Sequence, residues 1–413
     1  MTNKFLADAL AQHCRCAGPL DPYIEGFGAL LDARGYARAT ETQKLQLVAD
    51  FSRWLDHRRL EIGDVDDRRG TEFVRDRRRR GRAHRGDGLT LRTLCEYLRQ
   101  IDVIPAPTAA VDSTELSRVE QAFGVYLTHE RGLAPATLLN YLPLVRRFLS
   151  RRFATGAIRL HEIRPTDVTR FISRHAHAFS PGRVKLMLTA LRSFFRFLRL
   201  QGTTATDLAA AVPSVADWRL ARVPQWIPAA QVKRVLHHCD QQTLVGQRDY
   251  TILLLLARLG LRAGEVVGLT LDDIDWEAGE LVIRGSKGGR QDRMPLPCDV
   301  GRALATYVRH GRPSCGSRRV FICAKAPRRG FTSSVAVCTI VRRALVRAEL
   351  HPPSTGAHLF RHSLATEMLR RGASLAEIGE ILRHRHPDTT AIYAKVNFKA
   401  LRAVAPPWPG GAV

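Results

Sequence analysis

His358-Leu359-Phe360-Arg361, then Leu382-Arg383-His384, then Tyr393 within Asp388-Thr389-Thr390-Ala391-Ile392-Tyr393-Ala394, punctuate the last part of this chain. Upstream, Gly260-Leu261-Arg262-Ala263-Gly264-Glu265 adds a second arginine and Gly285-Ser286-Lys287-Gly288-Gly289 a lysine. Arginines, histidines, a lysine and a tyrosine are the inventory for breaking a phosphodiester without a metal ion: a phenolate attacks, and the cations carry the charge of five-coordinate phosphorus. His358 and Arg361 are three apart and share one face of a helix. A guanidinium can fork onto two phosphate oxygens, which an ammonium cannot do equally well. His384 and Tyr393 are nine apart, and a continuous helix turning roughly 100° per residue would set them on opposite faces. Pro387 breaks that helix and Asp388 is a good N-cap for a new one beginning at Thr389, so both side chains can converge. His362 is read as an inward-pointing structural histidine. Taken singly, Arg262 reads as a salt-bridge partner of Glu265, Lys287 as an exposed hairpin lysine and Tyr393 as a core tyrosine; only the set points to phosphodiester chemistry.

Composition narrows the partners. The 413 residues are too many for one typical core and predict two or three domains. Lys and Arg number 64 against 39 Asp and Glu, a formal net charge of +25. That excess favours a polyanion, with nucleic acid the first candidate and an anionic membrane surface the second. The longest clean apolar run, Ile252 to Ala257, is far shorter than the roughly 20 residues that span a bilayer. Asp8 interrupts what would be the apolar stretch of a secretory leader. A cytoplasmic, nucleoid-associated protein with no membrane partner is expected. The eight cysteines in a chain this long do not suggest a disulfide framework. The one tight cluster, His13-Cys14-Arg15-Cys16, lacks a second Cys/His pair at zinc-site spacing. Neither a metal site nor a cofactor is expected, and no carboxylate cluster for two-metal chemistry is evident.

Proline-rich segments divide the chain. Ile104-Pro105-Ala106-Pro107 closes a first tract, and Val212-Pro213 with Val223-Pro224-Gln225-Trp226-Ile227-Pro228 closes a second. Arg34-Gly35-Tyr36-Ala37-Arg38-Ala39-Thr40 lines up with Arg131-Gly132-Leu133-Ala134-Pro135-Ala136-Thr137. Phe51 then matches Phe148, Phe73-Val74 matches Phe171-Ile172, and Leu98-Arg99 matches Leu198-Arg199. A tandem duplication of a helical domain follows. Leu138, Leu139, Tyr141, Leu142, Leu144, Val145 and Phe148 recur at helical spacing, with Thr40 and Thr137 as expected N-caps and Pro143 as an expected kink. Arg146 and Arg147 in that helix, and Arg77, Arg78, Arg79 and Arg80 in the run Arg75 to Arg85 of the first copy, are expected to touch phosphates, adding affinity but little sequence information. From about Trp226 a third tract begins: a buried helix ends at Gly260, Glu280 to Arg284 and Asp292 to Leu296 pair around a glycine-rich turn, and helices return from about Ser333. This is an α+β domain.

Over roughly residues 115 to 400, the two arginine-bearing boxes, the histidines and the terminal tyrosine segment resemble the tyrosine recombinase (phage integrase) family. The resemblance implies a multidomain, mostly α-helical chain. Residues 1–105 would be an additional helical DNA-binding domain, 113–212 a helical SAM-like core-binding domain, 225–400 an α+β catalytic domain with a small antiparallel sheet, and 401–413 a tail. It assigns Arg262, Lys287, His358, Arg361, His384 and the nucleophile Tyr393 as catalytic, Lys287 rather than Arg290 as general acid, Arg290 as a DNA contact and Glu265 as the acid that orients the site. His358 or Lys287 would accept the phenolic proton, with the two guanidinia favouring the phenolate. The implied activity is site-specific cleavage and rejoining of double-stranded DNA through a 3′-phosphotyrosyl intermediate, without cofactor, by a homo-tetramer on synapsed sites, with companion recombinases and a mobile element as the setting. A type IB topoisomerase-like enzyme, a replicon-end resolvase and a non-catalytic DNA-binding relic are the alternatives. Family members usually carry Leu-Gly-His where this chain has Leu382-Arg383-His384. If that turn needs a positive φ, Arg383 is expected to shift His384 and weaken its role.

Overall fold

A computed structural model of the chain describes residues 18–106, 114–154, 156–214, 223–285 and 291–396. It forms two compact units, residues 105–219 and residues 1–104 together with 220–413. Lys287, Arg290, the cluster at His13 to Cys16 and the tail 401–413 lie outside the described residues.

The first tract is a bundle of α1 (Ile24–Ala33), α2 (Arg38–His57), α3 (Asp67–Arg79) and α4 (Asp87–Gln100). Its core is built on Phe27, Leu31, Val48, Phe51, Leu55, Leu94 and Leu98. The 105–219 unit repeats the plan with α5 (Glu115–Val125), α6 (Pro135–Arg152), α7 (Pro165–Ala176) and α8 (Pro181–Leu200). Phe123, Phe148, Phe194 and Phe195 fill its centre. The shared turn is shared in geometry too. Gly35 and Gly132 are both left-handed, at φ 75° and 57°, a conformation glycine adopts without penalty. Ala37 and Ala134 are then extended, and α2 and α6 start at the next residue. Thr40 and Thr137 therefore sit inside the first turn, donating backbone N–H to the carbonyls of Ala37 and Ala134, both at 2.8 Å, rather than capping it. Pro143 is carried inside α6, which continues to Arg152.

The third tract surrounds α10 (Leu244–Arg258), whose Ile252 to Leu256 are buried throughout. It is preceded by α9 (Ala229–His237) and followed by the short α11 (Ala263–Gly268). A three-stranded antiparallel sheet comes next, ordered β1 (Ile274–Asp275), β2 (Glu280–Arg284), β3 (Gln291–Pro295). Leu281 and Ile283 of β2 face the core, and Arg284 at its end pairs with the buried Asp273 at 2.6 Å. The hairpin anticipated from the alternation is thus present, with β1 as an added edge. Then come α12 (Cys298–Thr306), α13 (Ser334–Arg347), α14 (His358–Arg370), α15 (Leu375–Ile381) and the single turn α16 (Pro387–Thr390), which runs into a 3-10 segment Ala391–Val396. No helix among the described residues is long and apolar enough to cross a membrane.

Candidate active site

The site begins where α10 stops. Gly260 has φ +57°, and a Cβ there would meet Leu382 Cδ2 at 2.7 Å, so both conformation and space call for glycine. The turn sets Arg262 at the N-cap of α11, where its N–H donates to Glu265 Oε2 at 2.8 Å and its Nη1 to Oε1 at 2.7 Å. The Arg262 side chain stays 40% exposed while Glu265 is 7% exposed. Arg361, in the first turns of α14, is buried at 3% exposure. Its Nη1 donates to the Gly260 carbonyl at 2.5 Å and its Nη2 to the Leu382 carbonyl. Burial, with Arg262 and Arg383 adding repulsion, brings its pKa down to about 10. It remains a cation at neutral pH, held between two chain segments.

Leu382 to His384 close α15 in a Schellman turn: Arg383 N–H donates to Glu380 O and His384 N–H to Gly379 O, both at 2.9 Å. Arg383 takes the left-handed position at φ +55°, at a cost of about 1–2 kcal/mol for a residue with a Cβ. The positive φ is required here, and Arg383 supplies it without displacing the turn. His384 consequently stays directed at the site. The preceding helix ends at Ile381, ahead of this turn, and the chain stays non-helical from Leu382 to His386. Pro387 is instead the first residue of α16, with His386 rather than Asp388 as N-cap; a first-turn proline is tolerated because its missing N–H has no helical acceptor.

Tyr393 is fully buried, packed with Ala365, Ile378, Leu382 and Val396. Its hydroxyl lies 2.9 Å from His362 Nδ1. The His384 ring is nearly parallel to the tyrosine ring, 5° apart in plane and 6.4 Å between centroids. His358 follows in the same series, 6.1 Å from His362. Burial pushes the Tyr393 phenol up to about 12, and the opposing fields of Arg361 and Arg262 only partly offset it. The guanidinia therefore do not produce a phenolate in this state. Burial, then His358 and Arg361, lowers His362 to about 4, so the ring is neutral and its Nδ1 can accept a hydrogen bond from the phenol. His384 is also brought to about 4, by burial first and then by Arg361 and Arg262. Its Nδ1 sits 2.6 Å from the buried Thr390 hydroxyl, which fixes the ring and leaves Nε2 for another partner. His358, at the rim, is lowered by partial desolvation and then by Arg361 and Arg262.

The two histidines near 4 carry a stability signature. The unfolded chain, with histidine near 6.5, binds more protons between those values than the folded one. Stability is fully present above 6.5 and is lost as pH falls toward 4. Denaturant titrations from pH 7 to 4.5 should show this decline, and the variant His362→Gln/His384→Gln should flatten it. An unchanged slope would contradict the buried neutral rings.

Arg262, Glu265, Arg361, His384 and Tyr393 thus come together with His358 at the edge. Three participants were not singled out as partners in the sequence: His362 on Tyr393, Thr390 on His384 and Arg383 on Glu265. The four-residue spacing of His358 and His362 was the available signal for the first; the others depend on how the chain turns. Among the phosphate-contact candidates, Arg77 is engaged with Asp50 at 2.7 Å and Asp87 at 3.3 Å. Arg78, Arg79 and Arg80 are exposed. Arg146 grips Glu120, and Arg147 lies over the Phe179 ring at 5.3 Å. Among the described residues, no group of three or more His, Cys, Asp or Glu side chains is placed to share a metal ion.

Residues 225–400 match the phage integrase family, and residues 121–202 match the SAM-like N-terminal domain of phage integrases. A putative integrase/recombinase of Sinorhizobium fredii, y4rA, is 45% identical over 96% of both chains. The chain belongs to the phage integrase family. Its members include tyrosine recombinases, enzymes that cut and rejoin DNA strands. Another relative, tyrosine recombinase XerD of Mycobacterium tuberculosis, is 31% identical over 70% of this chain and 96% of its own. The fold is also that of a solved family member: a lambda integrase dimer (residues 75–356) bound to a COC′ core site superposes with TM-score 0.53 at 18% identity, covering 68% of this chain and 94% of that one.

Proposed function

We propose that this recombinase cleaves double-stranded DNA with Tyr393 as nucleophile. The phenolic oxygen bonds to the scissile phosphorus, the bond to the 5′ oxygen breaks, and a 3′-phosphotyrosyl ester forms with a free 5′ hydroxyl. Arg262 and Arg361 neutralise the non-bridging oxygens, and His358 and His384 donate hydrogen bonds to them. Lys287 protonates the leaving oxygen, and the phenolic proton leaves along the His362 hydrogen bond as the new O–P bond forms. The ester keeps the bond energy, so a 5′ hydroxyl from another strand rejoins it without ATP. The reading rests chiefly on the Tyr393 hydroxyl lying on His362 beside His384, within the field of both arginines. Burial holds the phenol protonated in this state, so its proton leaves only as the bond to phosphorus forms.

Exchange of both strands between two duplexes takes four cleavages, and with one nucleophile per chain that requires a tetramer. Companion recombinases would fit such an assembly. The full-length match to an integrase-named relative favours a mobile element as the setting. The test is a nicked duplex carrying a sequence recovered by binding selection from a random pool, from which the cut strand's end diffuses away. A protein–DNA adduct resistant to SDS supports the reading; binding without an adduct removes it.

The first tract is proposed as a second copy of the core-binding domain, on the repeated turn and four-helix order, with Arg78, Arg79 and Arg80 on phosphates. Replacing these three by Ala should weaken duplex binding about tenfold near 0.1 M salt. The salt slope should fall by roughly 0.9 for each phosphate that is no longer neutralised. An unchanged slope would exclude them from the interface.

A further inference from the structure

The residue that departs from the family pattern has a job in this chain. We propose that Arg383 is a positioning residue, a guanidinium clamp that holds Glu265, and through it Arg262, in the orientation the scissile phosphate needs. The inference rests on the proposed role of this site in cleavage.

Four observations converge. The Arg383 side chain is only 7% exposed and its Nη2 lies 2.8 Å from Glu265 Oε2. The other carboxylate oxygen is taken by Arg262 Nη1 at 2.7 Å, so Glu265 bridges the two arginines. The backbone joins in: Arg262 Nη2 lies 3.4 Å from the Arg383 carbonyl, and the adjoining Leu382 carbonyl receives Arg361. The Arg383 Nη1 meets Met294 Sδ on β3. An arginine with no task at this turn would extend into water, since a buried guanidinium sacrifices hydration. Here it adopts a strained backbone conformation and turns inward onto a carboxylate. Glycine at the same position would make the turn and leave Glu265 with one guanidinium fewer.

Electrostatics agree with the geometry. Burial drives the Glu265 carboxyl upward, but Arg383 first and then Arg262 more than offset it, holding the group below the ordinary carboxylate range. The other charged or titratable groups in its field are Arg361 and His358 on α14. Without Arg383, the still-buried carboxyl must rise and protonate at a higher pH, releasing Arg262.

The test compares wild type, Arg383→Gly and Arg383→Lys in single-turnover cleavage of the nicked duplex described above, with duplex binding measured alongside. Glycine suits the φ of the position, so the variant keeps its turn. Arg383→Gly should bind duplex as wild type does and cleave about 10- to 100-fold more slowly, the usual range for loss of a supporting group. Its acid limb in the pH–rate profile should move to higher pH, and Arg383→Lys should recover part of both effects. Wild-type cleavage by Arg383→Gly overturns the proposal, as does a loss of rate with an unmoved acid limb. If wild type itself forms no adduct, the function proposed for the site fails instead, and the two failures are distinguishable.

Discussion

Tyr393→Phe will bind duplex DNA with wild-type affinity and form no covalent adduct. The substitution removes one oxygen atom and keeps the ring that fills the cluster of Ala365, Ile378, Leu382 and Val396. Losing the hydroxyl frees His362 Nδ1 from its 2.9 Å partner. That nitrogen belongs to a half-buried ring, so the cost to folding stays within about 1–2 kcal/mol. Chemistry has no such substitute. A nucleophile that acts as part of a unit typically accounts for a loss on the order of 10⁴-fold or more when removed, which places cleavage below detection. Gel-shift titration and SDS-resistant adduct formation on one nicked duplex measure both quantities together. An adduct persisting in the variant would assign the attack to another residue.

Arg361→Lys will cost cleavage roughly 10²- to 10³-fold, the effect of removing one preorganised donor to a transition-state oxyanion. It will also lower stability. The arginine ties the Gly260 carbonyl to the Leu382 carbonyl with its two terminal nitrogens. A lysine ammonium has no fork to span both. The carbonyl left without a donor costs about 1–3 kcal/mol in a buried setting. Because those carbonyls flank Arg262 and His384, the variant should loosen both ends of the site and not merely subtract a charge. Paired melting curves and single-turnover rates test this. Wild-type values in both would mean that the buried guanidinium does not join the two segments.

The sequence disclosed the architecture where local patterns are strong. Alternation over Glu280 to Arg284 and the glycine-rich turn made the hairpin legible, and the apolar run at Ile252 made the buried helix legible. The repeated Arg-Gly turn exposed the likeness of the two four-helix tracts. The N-caps lie three residues ahead of the expected threonines because a left-handed glycine followed by extended Ala37 or Ala134 admits the chain early, a geometry that capping preferences alone do not reveal. The site was legible in its residues and not in its pairings. Spacing calls for a break between His384 and Tyr393, and it is there, but the preceding helix has already ended at Ile381, and Pro387 opens the next helix instead of breaking one. The histidine on the tyrosine hydroxyl depends on the packing of α14 against the terminal 3-10 segment. The clamp on Glu265 joins residues 118 apart in sequence. Pairings of that kind arise only when the fold closes.

In the proposed reaction Tyr393 itself carries the DNA. Wild-type protein trapped on a nicked duplex, digested with protease and nuclease and read by tandem mass spectrometry, reports the attachment site directly. The expected product is a nucleotide linked through phosphate to Tyr393, with the cut partner strand ending in a 5′ hydroxyl. A nucleotide on any other side chain, or cleavage leaving a 5′ phosphate, would contradict it.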